Sequence, residues 1–309
     1  MTSSTGAAAF KPPERVGFVG LGNMGAPMAR LIAKAGYQVM AADASPDAVA
    51  RFAASVQCQR AESLKSLGSS CRVVITMLPD GKVVREVLLG ANGVATGLAA
   101  GSVLIDMSSA SPLGTRELSA ELASHGFPLV DAPVSGGVKK AIEGTLAIMV
   151  GGEPEPVSRV RTLLETMGKV FPTGASGSGH AMKSLNNFLS AANLAVAAEA
   201  VIAGQRFGLD PANMIAILNA STGRNTGTDS KYPNNVLPRT FNSGFALGLM
   251  AKDLRLALEV ARASDAPAGL LEACARIWEQ AERQLGGKAD NTEVVKYLES
   301  LTSPEKHHG

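Results

Sequence analysis

Lys183 and Asn187 stand four residues apart in the stretch Gly177-Ser178-Gly179-His180-Ala181-Met182-Lys183-Ser184-Leu185-Asn186-Asn187. On a helix this spacing sends both side chains from one face, a turn apart, so an amine and a carboxamide can converge on one small ligand. The residues that follow are rich in Ala and Leu and hold no Gly or Pro until Gly204, which predicts a helix to about Phe207. At 1.5 Å per residue such a rod is roughly 45 Å long, enough to join two lobes. Lys183 lies a turn or so inside its start, where the positive helix end favours the neutral amine and attracts a carboxylate. A lysine so placed can carry protons. A lysine that lays its stem along the surface and keeps its charge in water fits the same local pattern.

A second cluster able to do chemistry lies near the N-terminus. The apolar run 16–19 ends in Gly20-Leu21-Gly22-Asn23-Met24-Gly25, and helical spacing follows over 26–35. In strand, glycine turn and helix, Gly20 permits the tight turn, Gly22 lets the backbone approach a pyrophosphate, and Gly25 lets helix and strand pack closely. The next strand, 38–42, delivers Asp43, 23 positions after Gly20, the place of the acid that binds an adenosine ribose. An acid there favours NAD over NADP, whose 2'-phosphate would meet like charge with no adjacent Arg to compensate. Arg51 reads as the solvated face of the following helix.

Other candidates sit at the ends of later strands. Leu78-Pro79 closes the run 73–77, and Pro79, with no N–H to give a ladder, turns the chain out where a cofactor would lie. Ser109 follows the run 103–106; its hydroxyl can bond a nicotinamide ribose or amide, or cap the next helix. Asp131-Ala132-Pro133-Val134-Ser135-Gly136-Gly137 offers a hydroxyl and accessible backbone N–H groups to a carboxylate. A turn capped by Ser135 is the alternative. Lys139 and Lys140 read as a solvated face.

Positioning these residues calls for an α/β Rossmann domain over 14–176, a doubly wound, mostly parallel sheet with strands at 16–19, 38–42, 73–77, 103–106, 129–130, 146–150 and 169–171. An all-helical domain over 177–302, begun by the long helix, should follow; tails are expected at 1–13, disordered, and at 303–309, where His307 and His308 are frayed or tag-like. Asp210-Pro211 starts a helix. Residues 221–243, rich in Gly, Asn, Thr and Pro, read as a long polar loop outside the core, and helices resume at Lys252, 266–285 and 292–301. Trp278 belongs to a packing face.

Composition narrows the function classes. Over 309 residues the net charge is +2 and aromatics make up 4%, which argues against nucleic acid and acidic membrane surfaces. Cys58, Cys71 and Cys274 show no C-x-x-C spacing, so neither a disulfide framework nor a zinc site is expected, and a reducing cytoplasm is the expected compartment. Residues 1–13 lack the form of a signal peptide. Glu199 and several asparagines interrupt the most apolar window, so no membrane span is expected.

Taken together, the glycine fingerprint, the 131–137 motif, Gly177-Ser178-Gly179 with Lys183 and Asn187, and Met250-Ala251-Lys252-Asp253-Leu254 resemble the β-hydroxyacid dehydrogenases, over about 14–300. That family includes 3-hydroxyisobutyrate dehydrogenase and tartronate semialdehyde reductase. The resemblance implies interconversion of a small-molecule 3-hydroxy acid and its semialdehyde or ketone, by hydride transfer with NAD, in a homodimer or homotetramer. It makes Lys183 the acid/base, gives substrate to Ser135, Gly136, Gly137 and Asn187, sets Lys252 by the nicotinamide with Asp253 in support, and puts Leu78 and Ser109 at the cofactor. Residues 221–239 depart from the aromatic-rich pattern of 3-hydroxyisobutyrate dehydrogenase proper. Their polarity points to a more hydroxylated or doubly charged acid, with Arg224 or Lys231 either reading a distal group or lying on the surface. Two rivals share the fold: an imine reductase, in which the lysine position carries another group, and an NAD(H)-binding module without turnover. A 6-phosphogluconate dehydrogenase would need a longer helical half.

Overall fold

Apolar runs broken by glycine, proline and aspartate fold into alternating strands and helices through the first half of the chain. A computed structural model describes residues 8–302, so His307 and His308 lie outside the described residues. The chain divides into two compact units, Met1–Lys183 and Ser184–Gly309, and the division falls inside the long helix, several residues beyond its start. In the first unit the order is β1 (Arg15–Val19), α1 (Gly25–Lys34), β2 (Gln38–Ala42), α2 (Pro46–Ser55), β3 (Gln59–Arg60), α3 (Leu64–Ser70), β4 (Val73–Thr76), α4 (Gly81–Leu89), β5 (Val103–Asp106), α5 (Pro112–Ser124) and β6 (Leu129–Asp131). Then come β7 (Val134–Ser135), α6 (Gly137–Glu143), β8 (Leu146–Gly151), α7 (Pro154–Leu164), β9 (Gly168–Gly174) and the first turns of α8 (Ser178–Phe207).

The strands lie in the order β3-β2-β1-β4-β5-β6-β8-β7, with β9 beside β8. Pairing is parallel from β3 through β6, while β8 runs antiparallel to β6 and β7. Strand order reverses between β1 and β4, and the carboxyl edge there is where doubly wound sheets take their ligands. Burial on both faces follows from the apolar runs: Val103 and Ile105 pack into one cluster, Leu104 into the other.

The expectation of a disordered tail over 1–13 is corrected at Phe10. Its ring is 2% exposed beneath the Arg159 guanidinium, 4.6 Å from the ring centre, and its amide donates to the Arg159 carbonyl at 3.0 Å. Burying such a ring contributes about 2 kcal/mol, which offsets the entropy of ordering one or two residues around it.

In the second unit α8 continues, followed by α9 (Pro211–Ala220), α10 (Leu247–Ala263), α11 (Gly269–Leu285) and α12 (Val294–Ser300). Asp210 caps α9 by accepting from the Asn213 amide. Ala191, Leu194, Ala198 and Val201 of α8 share a core with Trp278 and Leu254. By length and composition α8 is long and apolar enough to cross a membrane, since its mean hydropathy outweighs the interruption at Glu199; the buried stripe just named is the core of this unit.

The reading of 221–243 as a polar loop is also corrected. Gly227–Val236 is a π-helix, and Thr228, Tyr232 and Val236, four residues apart, are buried. Asn225 starts it, its Oδ1 accepting from the Gly227 and Thr228 amides at 2.8 and 3.2 Å. Pro233 has no N–H to give, and the Leu237 amide reaches back five residues to the Tyr232 carbonyl at 2.9 Å. Helix α10 likewise begins at Leu247, ahead of Lys252.

Trp278 is fully buried. Trp278→Ala should lower the unfolding free energy by about 3–5 kcal/mol in urea denaturation, the range for deleting a large core aromatic. A loss below about 1 kcal/mol would mean that this core is not what holds the helical unit together.

Candidate active site

The loop after β1 has the geometry a pyrophosphate requires. Gly20 has φ +101°, a backbone that side chains rarely adopt, and a Cβ there would lie 2.2 Å from the Met77 carbonyl oxygen. A Cβ on Gly25 would lie 1.9 Å from the Gly20 oxygen, whereas one on Gly22 would meet nothing within 4 Å. Two glycines are thus forced by packing; the third keeps open the side from which phosphate would approach. The start of α1 takes no side-chain cap, as suits a helix end meant for an anion. At the end of β2, Asp43 Oδ2 accepts from the Leu21 amide at 2.6 Å and Oδ1 from the Ser45 amide at 2.8 Å. Its carboxylate therefore braces the glycine loop. These residues fit NAD.

Leu78 and Ser109 follow neighbouring strands, β4 and β5, and one residue joins their loops: Ser108 Oγ accepts from the Leu78 amide at 2.9 Å. The Ser108 amide donates to Asp106 Oδ1 at 3.1 Å, which also takes the Thr76 hydroxyl at 2.9 Å. Ser111 is the residue that caps α5, accepting from the Gly114 amide, so Ser109 is not the cap. Ser135 is not a cap either: it lies on β7, and Gly136 precedes α6 without a side-chain cap. Gly136 and Gly137 are exposed, and a Cβ on Gly137 would meet nothing within 4 Å, leaving an accessible strip of backbone beside the half-buried Ser135.

Lys183 is half-buried in the second turn of α8. Sequence reasoning missed what holds that helix start. Asp131, the last residue of β6 and fully buried, accepts from the Gly177 amide at 2.8 Å and the His180 amide at 3.0 Å. The glycines of 177–179 follow from this, since a Cβ on Gly179 would lie 2.4 Å from the Met149 carbonyl oxygen and 2.8 Å from Asp131 Oδ2. The positive end of α8 is therefore covered by a carboxylate, which offsets the helix-end field that the sequence alone assigns to Lys183. The available signal was a strand-terminal aspartate with no local partner, together with a Gly-x-Gly that demands close approach.

In the second unit, Asn187 Nδ2 donates to Asp253 Oδ2 at 2.5 Å, and Lys252 Nζ lies 3.7 Å from Asp253 Oδ1. Asp253 is 1% exposed, so one buried carboxylate orients both a carboxamide and an ammonium. Arg224 is an exposed partner of Asp229, at 3.1 Å. Lys231 is half-buried and donates to Asn291 Oδ1 at 3.1 Å. Burial pushes its ammonium down to about 8, with Asp290 acting the other way. Burial also opposes the Asp290 charge, but bonds from Thr292, Ser243 and Gly244 hold that carboxyl below its ordinary value. The thiols of Cys71 and Cys274 are pushed up to about 12 by burial and are not nucleophiles.

Comparison with known proteins agrees with this arrangement. Residues 15–177 match the family described as the NAD binding domain of 6-phosphogluconate dehydrogenase, and 177–298 match the NAD-binding domain of NADP-dependent 3-hydroxyisobutyrate dehydrogenase. The chain is 36% identical to 2-(hydroxymethyl)glutarate dehydrogenase of Eubacterium barkeri, over 93% of this chain and 96% of that one. It is 39% identical to mitochondrial 3-hydroxyisobutyrate dehydrogenase of Mus musculus, over 92% and 86% respectively. The chain belongs to the β-hydroxyacid dehydrogenase family. As a β-hydroxyacid dehydrogenase it is an NAD(P)-dependent oxidoreductase. Among solved structures, Mycobacterium tuberculosis 3-hydroxyisobutyrate dehydrogenase with L-serine superposes at TM-score 0.85 and 34% identity, covering 92% of this chain and 99% of that one.

Two outcomes follow for this dehydrogenase. Asp131→Asn turns an oxygen that accepts an amide into a group that opposes it, and should cost about 1–3 kcal/mol of unfolding free energy for the N–H left unbonded; an unchanged urea midpoint would show that the α8 start is held otherwise. Lys231 has a lower value in the fold, about 8, than its ordinary 10.5. The folded state therefore binds fewer protons between those values, so stability should rise with pH through that window, by at most about 1.4 kcal/mol per pH unit. Lys231→Met should lack that rise, and equal pH slopes for the two proteins in urea denaturation would refute the assignment.

Proposed function

We propose that this enzyme interconverts a 3-hydroxy acid and its semialdehyde or ketone by hydride transfer with NAD, using Lys183 as general acid/base. The observation that carries this reading is a half-buried lysine on a helix whose first amides are fixed to the strand end beside the cofactor-edge loops. In oxidation the carbinol C–H leaves as hydride, which NAD accepts when bound. The hydroxyl proton passes to the neutral Lys183 amine, and the C=O bond forms. In reduction the ammonium returns that proton to the alkoxide oxygen. Ser135, Gly136 and Gly137 anchor the substrate carboxylate through the hydroxyl and backbone N–H groups, with Asn187 holding a second oxygen. Holding the carbinol in register supplies several kcal/mol of barrier lowering without any further reactive group. In this reading Lys252 and Asp253 shape the electrostatics at the nicotinamide, Leu78, Pro79 and Ser109 line the cofactor edge, and Leu21, Asn23 and Met24 complete the phosphate loop.

A polar 3-hydroxy acid fits better than an aliphatic one, because Lys231 and a π-helix that carries Asp229, Ser230, Asn234 and Asn235 stand where an aromatic-rich pattern would mark the aliphatic substrate. We place the enzyme in the cytoplasm as a homodimer or homotetramer. Leu189 and Val196, seven residues apart on α8, are 59% and 55% exposed, an apolar stripe that a second copy would cover.

Lys183→Ala should lower turnover by about 10²-fold or more, the usual share of general acid/base catalysis, while NADH binding persists. The wild-type oxidation rate should rise with pH, because only the neutral amine accepts the proton. The test is a substrate panel of 3-hydroxyisobutyrate, serine, glycerate, threonate and 2-(hydroxymethyl)glutarate with NAD and NADP, with cyclic imines alongside. Imine reduction without hydroxy-acid turnover, or a Lys183→Ala enzyme that keeps more than about a tenth of the rate, would reject the reading.

A further inference from the structure

His180 precedes Lys183 by three residues on α8, and its imidazole is fully buried among polar groups from β5, the loop after it, α5 and β6. Ring Nε2 lies 3.1 Å from the Ser108 carbonyl oxygen, and ring Nδ1 lies 2.9 Å from Thr115 Oγ1 on α5. A carbonyl only accepts, so Nε2 carries a proton, and in the tautomer protonated at Nε2 alone Nδ1 accepts the Thr115 hydroxyl. The carboxylates of Asp106 and Asp131 stand 3.7 and 3.8 Å from the same two nitrogens, beyond hydrogen-bond reach, and each is already occupied by amide or hydroxyl donors. Ser108, whose carbonyl holds the ring, is the residue whose hydroxyl holds the Leu78 amide and whose neighbour is Ser109. One ring thus links three things: the lysine helix, the loop after β5 and, through Ser108, the loop after β4.

We propose that His180 is a positioning residue for the reaction, setting the place of Lys183 against the Leu78 and Ser109 loops through its two ring nitrogens. The inference rests on the roles given above to Lys183 and the cofactor-edge residues. A ring that only filled space would have no need of two directed bonds. Leu at this site would fill similar volume and leave the Ser108 carbonyl and Thr115 hydroxyl without partners. Gln reproduces the pattern in part, because its amide N–H can donate to Ser108 and its oxygen can accept from Thr115. Thr115→Val removes the Nδ1 partner at nearly constant volume.

The experiment compares His180→Leu, His180→Gln and Thr115→Val with the wild type, at a temperature where circular dichroism shows each to be folded. NADH affinity is read by fluorescence titration, and kcat and KM are read with 3-hydroxyisobutyrate. Displacement of the lysine and the cofactor loops should weaken NADH binding about fivefold or more and lower kcat about tenfold or more in His180→Leu, with KM for the acid, set by the Ser135 loop, changed by less than about twofold. His180→Gln should recover most of both losses, and Thr115→Val should fall between. If His180→Leu does not fold, Thr115→Val and His180→Gln decide by the same readouts. NADH affinity and kcat within about twofold of wild type in the folded variants would overturn the proposal, as would equal loss in the Leu and Gln variants. A wild type that does not turn over 3-hydroxyisobutyrate would speak against that acid as substrate, and the NADH titrations would still judge His180.

Discussion

The carboxylate of Asp131 is the constraint on which the lysine helix depends. A buried, ionised carboxyl group costs several kcal/mol unless donors surround it, and here the first amides of a thirty-residue helix provide them. The exchange works both ways, because helix-start amides also need acceptors and none is available within the helix itself. Since Asp131 ends β6, the bond pins the helix origin to the sheet at a strand's carboxyl end. Gly151 and Gly179 follow from the same demand: a Cβ on either would stand 2.7 or 2.8 Å from an Asp131 oxygen. One charge thus dictates two glycines, the origin of a helix and the height of Lys183 above the sheet edge.

Much of the fold was readable because buried parallel strands leave a plain trace. The runs 38–42 and 103–106 coincide with β2 and β5, since strands buried on both faces are apolar throughout and end abruptly at Asp or Gly. Strand β3 left no such trace: Gln59 and Arg60 are exposed and make a strand only by pairing with β2. The π-helix over 227–236 was hidden for a different reason. Its buried positions carry Thr228, Tyr232 and Val236 among Asn, Asp, Ser and Pro, and the side-chain and backbone bonds of Asn225 and Thr228 replace the apolar density that periodicity detects. Phe10 shows the converse, a single aromatic in a polar tail whose burial only tertiary structure reveals.

The candidate site divides along the same line. Glycines, Asp43, Lys183 and Asn187 are legible because their chemistry is tied to local spacing. The network that holds them is not, because Thr76, Asp106, Ser108, Thr115, Asp131 and His180 come from four separate stretches of the sequence and none is unusual alone. Strand ends collect them: parallel strands deliver successive carboxyl termini to one edge, so residues some thirty positions apart become neighbours. A polar residue at such an end is costly unless bonded, which is why serine, threonine and aspartate there satisfy one another instead of reaching water.

The second unit solves the matching problem with its own buried acid. Asp253 accepts from Asn187 Nδ2, and Asn187 Oδ1 accepts from Asn186 Nδ2 at 3.2 Å, so the carboxamide is held at both ends and its orientation is fixed. One N–H of Asn187 is spent on Asp253, which leaves the carboxamide a second N–H to donate. Lys252, paired to the same carboxylate, holds its charge close to that donor. A carboxylate or hydroxyl oxygen is the complement of such a pair, and an apolar group is not. The stretch from Arg224 to Arg239 is tied into the core of the same unit through Tyr232 and Val236, and its start is held by the bonds of Arg224 and Asn225.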